Sequence, residues 1–197
     1  MDPAVVRAIA RWPQVPSCSG WLALDERGRW WLRDHAGPVP WPRDAQGRLD
    51  KSGAGPVLHS GLAAFIGRNY GCDTGGTWFF QNGPQRVDVS LEAAPWIVRL
   101  DIAPTGPWAW WTHTGSRCVV DRAWVDALGR VWLRTDLGPA LLHSGDVPAF
   151  AAQLDSADRP PAASGLPPVP LPALPAPPAR FFGFRPDPDA RRQDYLE

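Results

Sequence analysis

The chain has 197 residues, 44% of them hydrophobic, and is long enough to bury a core in one domain or two small ones. Twenty basic and 20 acidic residues cancel, which argues against the basic excess of a duplex-DNA binder. Three widely spaced cysteines, Cys18, Cys72 and Cys118, form no CxxC pair and point to a reducing compartment rather than a disulfide scaffold.

Along the chain, "DPAVVRAIARW" predicts a short amphipathic helix. Asp2 stands at its N-cap, Pro3 at its first position, and Val5, Ile9 and Trp12 on one face. A repeat follows. Residues 22–38, "LALDERGRWWLRDHAGP", align without gaps to 123–139, "AWVDALGRVWLRTDLGP". In each, an Asp-x-x-Gly turn (Asp25 to Gly28, Asp126 to Gly129) joins two strands into a β-hairpin. "LHSG" recurs at 58–61 and 142–145, each time before an apolar helical pattern, with Ser60, Ser144 and Asp146 as N-cap candidates. Between hairpin and helix the first copy carries an insert around "PWPRDAQGRLDKSGAG" that reads as an exposed loop.

Two more hairpins lie between the copies. The first, "CDTGGTWFFQNGPQRVDVSLE", has its own turn at Asp73 to Gly76 and sets Val87, Val89 and Leu91 against Arg86, Asp88, Ser90 and Glu92. The second, "WIVRLDIAPTGPWAWWTHTG", turns at Pro104 to Pro107. Period-two patterning with one polar side predicts an antiparallel sheet packed on one face. The expected fold is α+β: about eight short strands in hairpins forming one shared sheet, three short helices, and an internal repeat of 22–61 with 123–145. Both "LHSG" helices are expected on the same side of that sheet. The repeat domain would span 1–155. A disordered proline-rich tail would span 156–197, nine of the 19 residues from Pro160 to Pro178 being proline, and would dock, if at all, through Phe181, Phe182 and Phe184.

"GTWFFQNGPQRVDVSLEAAPW" (76–96), the "HTG" at 113–115 and "TDLGPALLHSGD" at 135–146 resemble a proteobacterial family of unknown function over roughly residues 1–150. A more distant family of tandem hairpin-helix motifs, with a suggested role in signal transduction, is also similar. The resemblance implies a fold and supplies no catalytic residues.

No residue set reads as a reaction centre. His59 and His143 hold equivalent places in the two "LHSG" copies, but no H-x₃-H or CxxC supports a metal, and none is expected. His143, Ser144 and Asp146 crowd into one short stretch, whereas a working triad converges from separate segments. "YGCDTGG" lacks a phosphate-loop signature. The chemistry-bearing feature is aromatic: in Trp30-Trp31 and Trp110-Trp111 neighbouring rings must face opposite sides of a sheet. The outward rings are covered by a helix, the tail or a second subunit, or lie open beside Arg29, Arg33, Arg130 and Arg134 for single-stranded nucleic acid or another planar ligand, or take a sugar.

The expected function is a non-enzymatic cytoplasmic binding or regulatory protein. Its ligand or partner surface comprises Trp30, Trp31, Arg33, Gln81, Asn82, Arg86, Trp110, Trp111, Trp132 and Arg134, with a groove between 81–87 and 135–139. No catalytic residue, cofactor or membrane contact is expected, and the partner is an unknown protein or small ligand. A small-ligand enzyme and a single-strand nucleic-acid binder are the alternatives.

Overall fold

The computed structural model describes residues 1–34, 40–101, 108–154 and 171–188. The expected Pro104–Pro107 turn, residues 155–170 of the proline-rich run with the expected boundary at 155, and the last nine residues lie outside them. The chain divides into two compact units, one of residues 1–25, 29–93 and 183–197, the other of residues 26–28 and 94–182. Each contains one six-stranded sheet. The single antiparallel sheet of eight strands is therefore corrected to two mixed sheets.

In the first unit, helix α1 (Pro3–Arg11) precedes strands β1 (Cys18–Leu24), β2 (Trp30–Arg33) and β3 (Ala54–Pro56). Helix α2 (Ser60–Arg68) leads into β4 (Tyr70–Cys72), β5 (Trp78–Asn82) and β6 (Gln85–Leu91). The sheet order is β3-β2-β1-β6-β5-β4, antiparallel except where β1 and β6 run parallel at its centre. The second unit holds β7 (Trp96–Asp101), β8 (Ala109–Thr112), β9 (Arg117–Cys118), β10 (Val120–Val125), β11 (Val131–Thr135) and β12 (Gly138–Leu142). A short 3₁₀ turn follows (Ser144–Asp146), then helices α3 (Val147–Leu154) and α4 (Pro178–Phe182). Its order is β10-β11-β12-β7-β8-β9, with β12 and β7 parallel at the centre.

Both sheets thus join two three-stranded meanders, the first strand of one beside the last strand of the other. Register agrees as well: Tyr70↔Phe80 and Phe80↔Val87 in β4-β5-β6 take the places of Ala123↔Leu133 and Leu133↔Ala140 in β10-β11-β12. Trp30 and Trp31 on β2, opposite Leu24 and Ala23, likewise correspond to Trp110 and Trp111 on β8, opposite Leu100 and Arg99.

The repeat read from sequence holds locally and fails globally. Leu22↔Leu32 and Ala123↔Leu133 are hairpins of the same register, but β1-β2 opens its unit and β10-β11 sits in the second meander of the other. Likewise α2 covers the first sheet through Phe65, edge-on to Phe80 at 5.5 Å, and α3 covers the second through Phe150, which meets Trp108 and Trp110. The "LHSG" helices therefore serve different sheets rather than one side of a shared sheet.

Sequence also assigned β6 one solvent face, yet Ser90 is 1% exposed and Asp88 9%, so the strand is buried on both sides. Burial follows the pairing. The first core gathers Leu22, Leu24, Trp30, Phe80, Val89 and Leu91; the second gathers Val98, Ala123, Leu133, Ala140 and Leu142.

Candidate functional site

Turn chemistry positions the aromatic residues. Asp25 accepts from the Arg29 amide and Nε and from the Trp31 indole at 3.0 Å. Asp126 repeats this with the Arg130 amide and Nε and with the Trp132 indole at 2.9 Å, and adds the Leu128 amide. Each carboxylate clamps the loop to a ring on the second strand. At Asp126 burial pushes the carboxyl up, but the bonds from Trp132 and Arg130 outweigh it and hold its pKa below the ordinary value.

Each of the two Trp-Trp dipeptides buries its first ring. Trp30 is buried edge-on against Tyr70 at 5.1 Å, and Trp110 is buried beside Trp108 and Phe150. Trp31 is half-buried, and its cover is the insert read as an exposed loop. Trp41 (1% exposed) and Leu49 (4%) from that insert join Ala23 in a small core against which Trp31 packs. Trp41 donates to the Asp50 carbonyl at 2.6 Å, and the Arg33 guanidinium stacks 3.8 Å from its ring centre. The insert is thus a folded lid over one ring; Trp111 remains 39% exposed.

In the second unit Trp132 is 1% exposed and stacks on Phe182, while Trp124 meets Phe181 and Phe182 edge-on. The segment before α4 adds to edge strand β10, where the Val125 amide donates to the Pro172 carbonyl and the Leu174 amide to the Val125 carbonyl. In the first unit, Phe184 is buried, the Arg185 amide donates to the Gly76 carbonyl, and the Leu91 amide donates to the Pro186 carbonyl. Residues 171–188 are therefore held by backbone pairing as well as by their three Phe.

The arginines of the expected surface are already engaged. Arg33 is buried and donates to the Gly20 carbonyl. Arg86 bridges Asp88 and Asp73, both at 2.7 Å, above the Phe79 ring. Arg134 pairs with Asp121 on the surface. Gln81 is buried and donates to the Gly83 carbonyl, while Asn82 is exposed. The stretches 81–87 and 135–139 belong to different units.

Both "LHSG" histidines cap helical turns. His59 Nδ1 accepts from the Leu62 amide and His143 Nδ1 from the Gly145 amide, so His is the N-cap one residue before the expected serines. Asp146 pairs with Arg99 at 2.6 Å and accepts from the Leu100 amide. At α1, Asp2 stands at the N-cap, but its carboxylate goes to Asn69 and Arg68 instead of capping the helix, and Trp12, placed by sequence on the apolar face, is 49% exposed. Among the described residues no three His, Cys, Asp or Glu side chains assemble as a metal site, and no helix is long and apolar enough to cross a membrane.

Among the described residues, a pocket lies between α2 and the first sheet, and of the expected surface it takes in Asn82. It has a volume of about 360 Å³. Its floor is formed by four strands: Cys18, Trp21 and Leu22 of β1, Leu32 of β2, Phe80 and Asn82 of β5, and Gln85 and Val87 of β6. Its roof is Leu62, Phe65 and Ile66 of α2. The pairs Leu22↔Leu32, Phe80↔Val87 and Asn82↔Gln85 put these six residues on one face, and β1 shifts register between Cys18 and Leu22, the stretch that holds Trp21. Leu32 is 40% exposed and Leu62 38%, which leaves apolar surface at the opening. Burial, with Asp88 nearby, pushes the Cys18 thiol up, so it stays protonated at neutral pH.

The fold and groove define an α+β protein of two mixed six-stranded sheets with an apolar cleft under a helix. Residues 1–172 match the DUF2944 family, described as a protein of unknown function (DUF2946), and the chain belongs to that family. No curated protein matches the sequence. Similar solved structures are a DUF1285 family protein from Shewanella baltica OS155 (16% identity, TM-score 0.44, covering 68% of this chain and 91% of that one) and a DUF1285 family protein from Silicibacter pomeroyi DSS-3 (14% identity, TM-score 0.47, covering 79% and 84%).

Proposed function

We propose that this protein is a non-catalytic binding or regulatory module that holds a small ligand of mainly apolar character in the groove between α2 and the first sheet. The observation that carries this reading is the groove itself: about 360 Å³, walled by Leu22, Leu32, Leu62, Phe65, Ile66, Phe80 and Val87. That lies within the range of roughly 300–1,000 Å³ typical of small-molecule sites. The burial of Trp30, Trp110 and Trp132 and the engagement of Arg33, Arg86 and Arg134 favour the groove over an open aromatic face. Binding is favoured over turnover because the lining, among the described residues, supplies no general base to the Cys18 thiol.

The test is titration with a neutral, environment-sensitive dye such as Nile red. The wild type is expected to give a saturable rise in fluorescence. Leu62→Glu, at an already exposed position of the roof, is expected to weaken binding by roughly tenfold or more, since a carboxylate at the opening must be desolvated when the ligand enters. Equal affinity in a variant that melts like the wild type would place the dye elsewhere and refute the reading.

A further inference from the structure

Among the described residues, the groove walls carry no Asp, Glu, Lys, Arg or His side chain. An ionised ligand group entering such a lining gives up its hydration and gains no counter-charge. Arg86, the cation of the neighbouring strand, sits on the other face of β6, where it is held by Asp88 and Asp73. Polarity in the lining is concentrated at the hairpin end, in the amides of Asn82 and Gln85, which are cross-strand partners. Neither side-chain amide has a hydrogen-bond partner among the described residues. Each offers an N–H₂ donor and a carbonyl acceptor, and so can pair with a hydroxyl, ester or amide without either side carrying charge.

Resting on the groove reading above, we infer that the ligand is an uncharged amphiphile. Its alkyl or aryl body lies between α2 and the sheet, and its hydroxyl, ester or amide head meets Asn82 and Gln85. The groove selects against the corresponding carboxylates and amines, because discrimination arises where one of two ligands must be desolvated without compensation.

Cys18, in the groove wall, is the reporter. Cys72 is exposed and Cys118 is buried with its thiol pushed up to about 11, so in full-length Cys72→Ser protein alkylation by N-ethylmaleimide reads Cys18. Three probes of equal chain length are compared at neutral pH: octan-1-ol, octanoate and octylammonium. Octan-1-ol is expected to slow alkylation several-fold at saturation, the two ions only at concentrations roughly tenfold or more higher. Equal protection by octanoate or octylammonium overturns the uncharged class and leaves the groove as a binding site. No protection by any probe overturns both. As a second arm, Asn82→Asp is expected to narrow the gap, octylammonium gaining roughly tenfold on octan-1-ol through the new carboxylate. An unchanged ratio of the two overturns the assignment of the head group to Asn82.

Discussion

Asp126 illustrates how one side chain fixes a hairpin and a ring together. Its carboxylate takes four hydrogen bonds, from two turn amides, the Arg130 guanidinium and the Trp132 indole. Asp126→Asn keeps one acceptor oxygen but loses the charge, leaving donors poorly satisfied. The expected cost is about 1–3 kcal/mol, read as a lower denaturation midpoint. The sign with pH follows from the lowered pKa. The contribution of the carboxylate is complete above its unfolded value of 3.8 and is lost as pH falls through the lower folded value. Wild type and variant should therefore converge in stability as pH drops below 3.8, and a gap that stays constant would contradict this role. The signal was present in the sequence as two D-x-x-G-R-x-W stretches. The Asp and Gly read as turn residues, but nothing in local pattern says that the Trp indole returns to the Asp.

At the scale of elements, the same loop form recurs at two further Asp-x-x-Gly stretches whose glycine takes positive φ. The Gly76 amide donates to the Asp73 carbonyl, and the Asp73 amide to the Thr77 carbonyl. Gly47 closes an equivalent loop after Asp44. The two glycines have φ of +82° and +77°, but a Cβ on Gly76 would stand 2.5 Å from the Gly183 carbonyl oxygen, while Gly47 faces open space. Gly47→Ala is expected to cost only the strain of the left-handed backbone, about 1–2 kcal/mol. Gly76→Ala should cost more and release residues 183–188 from the first sheet, seen as faster proteolysis after Arg185. Equal effects of the two substitutions would contradict the docking of this segment. The insert containing Asp44 and Gly47 read as an exposed loop because its composition is polar and turn-rich. Its two buried apolar residues, Trp41 and Leu49, are too few to give a period.

For the molecule as a whole, what sequence could express was local. Hairpins, turns and amphipathic helices repeat their signals within short windows, and these were legible. The assignment of strands to two sheets rests on the parallel pairs β1 with β6 and β12 with β7, whose partners lie far apart in the chain. Such pairing leaves no local periodicity. This is why 22–38 and 123–139 align as hairpins yet occupy different places in their sheets. Most of the groove was hidden for the same reason. Leu32, Leu62 and Phe65 carry no local sign of a shared site until the topology brings one helix over four strands. The most direct measurement is chemical-shift mapping of the full chain titrated with octan-1-ol. Saturable shifts are expected at Leu22, Leu32, Leu62, Phe65, Phe80 and Val87, with little change in the second sheet. Shifts confined to the exposed Trp111 and its neighbours, or none at saturating alcohol, would contradict the groove as the binding site.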